Sequence, residues 1–270
     1  MPRARLCTIG NKRLNLSLDI SPEGPVKLLF PERRLPEAKR RWARLVEVQA
    51  TGFNQHDHHG NKCTGTNPGG LLRYLSHSSS RTDLGPLWEI RQSGSGLIVS
   101  SYFQFLAKLP ACRTWTVVEY VGAGEVLLVF VSSLALFGLS CGGASAWEEK
   151  MRLHVADNSW CAECQWRSGK MRDFGLSAAY RPQAGSGFSL KRVAISNQGT
   201  WSSLEHLPMA ALENKEAGST LCWQIEHNGS WYWEISDLAH ELVLRVSGPT
   251  YRDGLWSKRL APGGKFASVP

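Results

Sequence analysis

Short runs in which apolar and polar residues alternate, separated by Gly, Pro, Asn and Ser, set the rhythm of the chain. Residues 14–20 (LNLSLDI) repeat with the period of two that sends successive side chains to opposite faces of a strand. Residues 26–30, 45–49, 97–105, 113–120, 188–195, 220–227, 231–235 and 241–246 are further runs rich in β-branched and aromatic residues, many of them bounded by turn residues. Residues 126–139 (VLLVFVSSLALFGL) are apolar almost throughout. A membrane-spanning helix needs about 20 such residues, so this shorter segment reads as a strand buried on both faces. No stretch sustains a well-capped helical period; residues 203–214 come nearest, and Pro208 interrupts them.

These runs, with no βαβ alternation among them, predict an all-β fold. The expected architecture is two large antiparallel sheets packed as a sandwich, with few or no helices, in a single domain over residues 1–270. Asn228-Gly229 lies between two strand-like runs, and both residue types accept the positive φ of a type I′ turn. A hairpin is expected there, with Trp223, Trp231 and Trp233 on neighbouring strands. Residues 54–80 break the rhythm. They are polar and Gly-rich, hold four of the eight histidines, and read as a long loop, which in a compact domain is functional or disordered.

At 42% hydrophobic and 20% charged residues, the composition excludes wholesale disorder. Eleven tryptophans are present, seven of them between Trp147 and Trp233, which implies a packed core or a stacking surface. The formal charge is +8, and residues 1–44 supply +7 of it. The run at residues 33–44 (RRLPEAKRRWAR) has the charge to meet nucleic acid or an anionic membrane, but no RNA-binding, zinc-finger or helix-turn-helix pattern accompanies it. Residues 31–44 therefore read as a solvated basic loop or insertion, and neither nucleic acid nor membrane is expected as a partner. Seven cysteines, odd in number and irregularly spaced, follow an amino terminus without the apolar core of a signal peptide. Reduced thiols and a cytoplasmic location are the expectation.

The densest chemistry lies in residues 51–62 (TGFNQHDHHGNK), where His56, Asp57, His58 and His59 are consecutive. Imidazole and carboxylate suit a divalent metal. Side chains of an extended segment alternate, however, so these four do not all converge on one ion, and a polar loop facing a sugar or an interface is the better reading. The lone Cys161-Ala-Glu-Cys164 lacks the second pair of a structural zinc site and the βαβ context of a redox motif, and reads as two buried or half-buried thiols. No nucleophile elbow, phosphate loop or dinucleotide fingerprint occurs, so no cofactor is implied. None of the seven aspartates sits in a recognisable active-site motif.

Several ordered blocks together resemble one known family. They are residues 45–49 (LVEVQ) leading into the 51–62 loop; residues 101–105 (SYFQF) followed by 113–117 (RTWTV); residues 195–208 (ISNQGTWSSLEHLP); the 223–233 segment; and a closing Gly263 and Ser268-Val-Pro270. In this order they are similar to the amino-terminal β-sandwich domain of the α-galactosidases of glycoside hydrolase family 36, over nearly the whole chain. The resemblance implies a β-supersandwich that precedes a catalytic β/α barrel, packs on it, supports oligomerisation and lends a loop to the rim of a galactose pocket. The family's nucleophile lies in a barrel Lys-Trp-Asp motif, which these residues lack, so no catalytic residue is assigned to this chain and it is expected to be inactive alone. By this resemblance Asn54, His56, Asp57, His58, His59, Trp201 and His206 are candidates for the sugar pocket or the barrel interface. The implied partners are the barrel, α-galactosides and a second copy of the chain. At the loop, HDHHG stands where the family commonly has a Gly-Asp-Phe-Arg type of sequence. The alternative reading is a stand-alone carbohydrate-binding or protein-interaction β-sandwich without catalysis.

Overall fold

The computed structural model describes residues 5–30, 40, 42–54, 61–177 and 189–270. In chain order its strands are β1 (Arg5–Gly10), β2 (Asn15–Ile20), β3 (Lys27–Leu29), β4 (Val48–Ala50), β5 (Arg73–Thr82), β6 (Gly85–Gly94), β7 (Leu97–Phe105), β8 (Cys112–Tyr120) and β9 (Val126–Phe137). They continue with β10 (Met151–Asp157), β11 (Gln165–Lys170), β12 (Arg192–Asn197), β13 (His206–Asn214), β14 (Ser219–Gln224), β15 (Trp231–Leu238), β16 (Glu241–Ser247), β17 (Lys258–Leu260) and β18 (Lys265–Ala267). Helical structure among the described elements amounts to α1 (Trp147–Lys150) and two 3-10 turns.

A nine-stranded sheet runs β1-β2-β3-β9-β16-β15-β12, with β4 and β17 also pairing with β9. Opposite it lie a four-stranded sheet, β11-β10-β13-β14, and a five-stranded sheet, β18-β8-β7-β6-β5. Among the described residues, only the short β3–β9 pairing is parallel. The main core is lined by Leu136, Val193, Trp231, Trp233, Ile235, Leu242 and Leu244 of the large sheet, by Leu153, Leu212 and Trp223 of the four-stranded sheet, and by Ile90 and Phe103 of the five-stranded one. The expected two-layer all-β sandwich is therefore present, with one layer divided between two sheets. Trp223 and Trp233 meet edge to face across the layers, with centroids 5.2 Å apart. Such a pair adds about 0.5–1.5 kcal/mol to what burial alone contributes.

Two local expectations are corrected. Asn228-Gly229 does not close a hairpin: β14 pairs with β13 in one sheet, and β15 pairs with β12 and β16 in the other. The amides of Ile225 and Glu226, which a hairpin would need, donate instead to Pro208 O (2.8 Å) and Pro270 O (2.9 Å), so the chain crosses from one layer to the other here. Residues 54–80 are not loop throughout, since β5 begins at Arg73. Its Ser-rich sequence hides a strand because an edge strand solvated on both sides needs no alternation. Residues 203–214, where the sequence sustained no well-capped helical period, contain β13. Pro208 is tolerated because the β10–β13 register shifts beside it, so the ladder asks no donor of its nitrogen.

The 126–139 segment behaves as its composition implies: β9 takes partners along both edges and is largely buried. No helix among the described residues is long and apolar enough to cross a membrane. Most of the basic run at 31–44 lies outside the described residues; within it, Arg40 pairs with the buried Asp19 at 3.6 Å, as does Lys27 at 3.5 Å.

Candidate functional site

β15 and β16 are buried along their whole length, so both faces of the large sheet are covered there. On the face away from the core, residues 61–67 lie over a cluster of ionic groups. Arg245, only 2% exposed, lies 3.6 Å from Glu234 and 4.0 Å from Glu47, both fully buried, and donates to Ser236 Oγ at 2.9 Å. Arg192 approaches Glu234 from the other side at 3.6 Å. The two carboxylates also hold the covering segment by its backbone. Glu234 accepts from the Cys63 amide at 2.9 Å, and Glu47 accepts from the amides of Gly65 (3.2 Å) and Thr66 (3.0 Å) and from Thr66 Oγ1 (2.6 Å).

Lys62, with no exposed surface, donates to Asp237 O (2.6 Å) and Asp237 Oδ1 (3.0 Å). Burial pulls its ammonium below its ordinary range, and the Asp237 charge opposes that shift. Burial raises the Cys63 thiol, with the Glu234 charge adding to it; the Tyr232 hydroxyl, bonded to Glu234 Oε2 at 2.5 Å, rises for the same reasons. Asn61 O accepts from Arg192 and Arg252. Buried charges persist where they are paired and hydrogen-bonded. Here the pairing clamps one end of the histidine loop to the sheet. At its other end Asn54 is exposed, and its carbonyl accepts from Asn67 Nδ2 at 2.7 Å. His56, Asp57, His58 and His59 lie outside the described residues.

Trp201 and His206 come together at another place, the end of the sandwich where the β10–β11 and β12–β13 connections meet. Asn158 ties the two loops, its amide donating to Glu205 O at 2.7 Å and its side chain to Ser203 O. Asn197 Nδ2 holds Trp201 O at 2.5 Å, and Trp231 Nε1 holds Ser202 O at 2.6 Å. So braced, Trp201 stays 47% exposed and meets Trp160, 76% exposed, edge to face with centroids 5.6 Å apart. Beside them His206 Nδ1 lies 2.9 Å from Asp157 Oδ1, and Arg167 Nε lies 2.6 Å from Asp157 Oδ2. Leu204 and Trp166 add exposed apolar surface. No hydrogen bond, ion pair or ring contact joins Asn54 to Trp201 or His206.

The sequence reading missed Trp160, Asp157 and Arg167. The signal was available in part, because Trp160 and Trp166 flank a Cys-x-x-Cys that marks a loop. Cys161 and Cys164 are exposed rather than half-buried, since the β10–β11 turn carries them beyond the sheet with φ of 58° and 56°. Among the described residues, no three or more His, Cys, Asp or Glu side chains are disposed to hold a metal.

No family model and no curated protein matches the sequence. Solved structures do match its fold. Over 100% of this chain, the galactosidase domain of the α-galactosidase–sucrose kinase AgaSK superposes with a TM-score of 0.69 at 13% identity. The family 36 α-galactosidase AgaB from Geobacillus stearothermophilus gives 0.70 at 12% identity over 100% of the chain, and the α-galactosidase from Lactobacillus brevis gives 0.68 at 10% over 98%. The chain spans only 38–40% of the length of these proteins. What it shares with these α-galactosidases is therefore a fold, that of a part of each, as the resemblance to their amino-terminal β-sandwich implied.

Proposed function

We propose that this chain acts as the accessory β-sandwich of an α-galactosidase-like glycoside hydrolase. It packs on a catalytic β/α barrel, in the same polypeptide or a separate one, and shapes the sugar pocket there. The observation that carries the reading is the superposition of the whole chain on about 40% of each α-galactosidase. The Trp160–Trp201–Leu204 end supports it. Exposed apolar patches on a well-packed domain mark interaction sites, and this patch is held rigid by four hydrogen bonds to its two loops. In this reading Trp201 and His206 face the barrel, while Asn54 and the residues His56, Asp57, His58 and His59 contribute to the pocket rim. The carboxylates that cleave the glycosidic bond belong to the barrel.

The test is hydrolysis of p-nitrophenyl α-galactoside by the purified chain, with and without a family barrel. The expected result is no turnover by the chain alone and a higher rate when the barrel is supplied. Turnover by the chain alone would overturn the assignment and direct the search to a carboxylate pair about 5–5.5 Å apart. Silence in both, with no association, would leave an independent module.

A further inference from the structure

The four-stranded sheet turns one face to the core through Leu153 and Leu212, so their sequence neighbours, His154 of β10 and Glu213 of β13, stand on the other face. On β11, Ser168 is directly opposite His154. Three strands thus build one hydrogen-bonded chain. Ser168 Oγ lies 2.7 Å from His154 Nδ1, and His154 Nε2 lies 3.3 Å from Glu213 Oε2. A carboxylate only accepts, so Nε2 carries the ring proton, and Nδ1 of the neutral ring is left to accept from the Ser168 hydroxyl. β11 is held from behind. A Cβ on the buried Gly169 would come within 2.9 Å of Asp173 Oδ2, which accepts from the Lys170 amide at 2.7 Å. Ser168 itself is exposed. Arg152, directly opposite both Lys170 and Glu213, places a positive charge one register step away on the same face.

We infer that Ser168 is a nucleophile for acyl transfer, with His154 as its general base and Glu213 as the positioning residue that holds the imidazole in the accepting tautomer. A nucleophile bonded to a base, with the base bonded in turn to a third group, is the arrangement that activates a serine. The acyl donor is an activated ester. Ser168 Oγ bonds to its carbonyl carbon, the bond from that carbon to the leaving oxygen breaks, and the Ser168 proton passes through His154 to the leaving group. The Arg152 charge favours the oxyanion that forms between these steps. The product is an acyl-serine on an open sheet face. An α-galactoside has no acyl carbon, so this reaction stands apart from the proposed hydrolase role and from its assay.

The test is reaction of the full chain with p-nitrophenyl acetate, followed by release of p-nitrophenolate and by peptide mapping of the acetyl group. Ser219, exposed on β14 of the same sheet and opposite Asn214 rather than a histidine, is the internal control. Ser168 should be acetylated at least about a hundredfold faster than Ser219, the scale of general-base catalysis, and His154→Gln should remove that advantage. Glu213→Gln should slow the reaction about tenfold or more, with Glu213→Asp restoring part of the rate, at the wild-type thermal midpoint. Ser168 acetylated no faster than Ser219 would overturn the inference, as would wild-type rates in His154→Gln or in Glu213→Gln.

Discussion

Replacing Arg245 by Met tests how the histidine loop is anchored. The guanidinium is buried between Glu47 and Glu234, at 4.0 and 3.6 Å, and bonds Ser236 at 2.9 Å. Methionine fills much of the volume, so the loss is electrostatic: two buried carboxylates would face one another with Arg192 as the nearest remaining cation. Breaking a buried pair by removing one partner costs about 3–5 kcal/mol. At about 2–4 °C per kcal/mol for a chain approaching this size, the midpoint should fall by roughly 6–20 °C. Urea unfolding at constant m reads the change. Glu234→Gln added to Arg245→Met should recover part of the loss, because one unpaired charge is removed. Hydrogen exchange should quicken at the amides of Cys63, Gly65 and Thr66, which the two carboxylates hold. The exposed Arg259–Glu125 pair is the control, and its removal should cost no more than about 1 kcal/mol. A loss below about 1 kcal/mol for Arg245→Met would refute the argument, for the cluster would then behave like a surface pair.

Stability should fall as the pH rises above 9. Cys63 and Tyr232 keep their protons in the folded chain beyond the ordinary 9.0 and 10.0, so the unfolded chain releases them first. Lys62 acts in the opposite sense below 10.5, so the comparison to make is the alkaline slope of wild type against Cys63→Ala, which should be flatter. Trp233→Ala should cost about 3–5 kcal/mol and diminish the near-ultraviolet dichroism, because it empties the centre of the core and breaks the edge-to-face pair with Trp223; urea titration reads the first and spectroscopy the second. Trp160→Ala, by contrast, should leave the midpoint nearly unchanged, within about 0.5 kcal/mol, while reducing acrylamide-quenchable fluorescence.

The strands that could be read from the sequence were those whose environment is uniform along their length. β7 and β9 are apolar because both faces are covered, and glycines stand beside them: Gly96 before β7, Gly124 and Gly138 around β9. β5 escaped notice because an edge solvated on both faces leaves no period to detect. The misread hairpin has a different cause. Asn228-Gly229 is locally suited to a tight turn, but the partners that take up the Ile225 and Glu226 amides, Pro208 and Pro270, are set by tertiary structure. The clamp was illegible for the same reason. Lys62 and Asp237 are separated by 175 residues, and a lone lysine beside a histidine run gives no hint that it is buried. Trp201 and His206 entered as candidates only through the resemblance; Trp160 and Asp157, which lie on the β10–β11 hairpin at the same end, carried no such signal.

The proposed role requires that this sandwich dock on a catalytic barrel through its Trp160–Trp201 end. The most direct measurement is the binding isotherm of the chain with an α-galactosidase barrel, for wild type and for Trp160→Ala with Trp201→Ala. The predicted result is saturable binding that the double variant weakens at least about tenfold, roughly the loss of 1.4 kcal/mol, without loss of its thermal midpoint. Absence of binding, or binding that the double variant leaves intact, would contradict it.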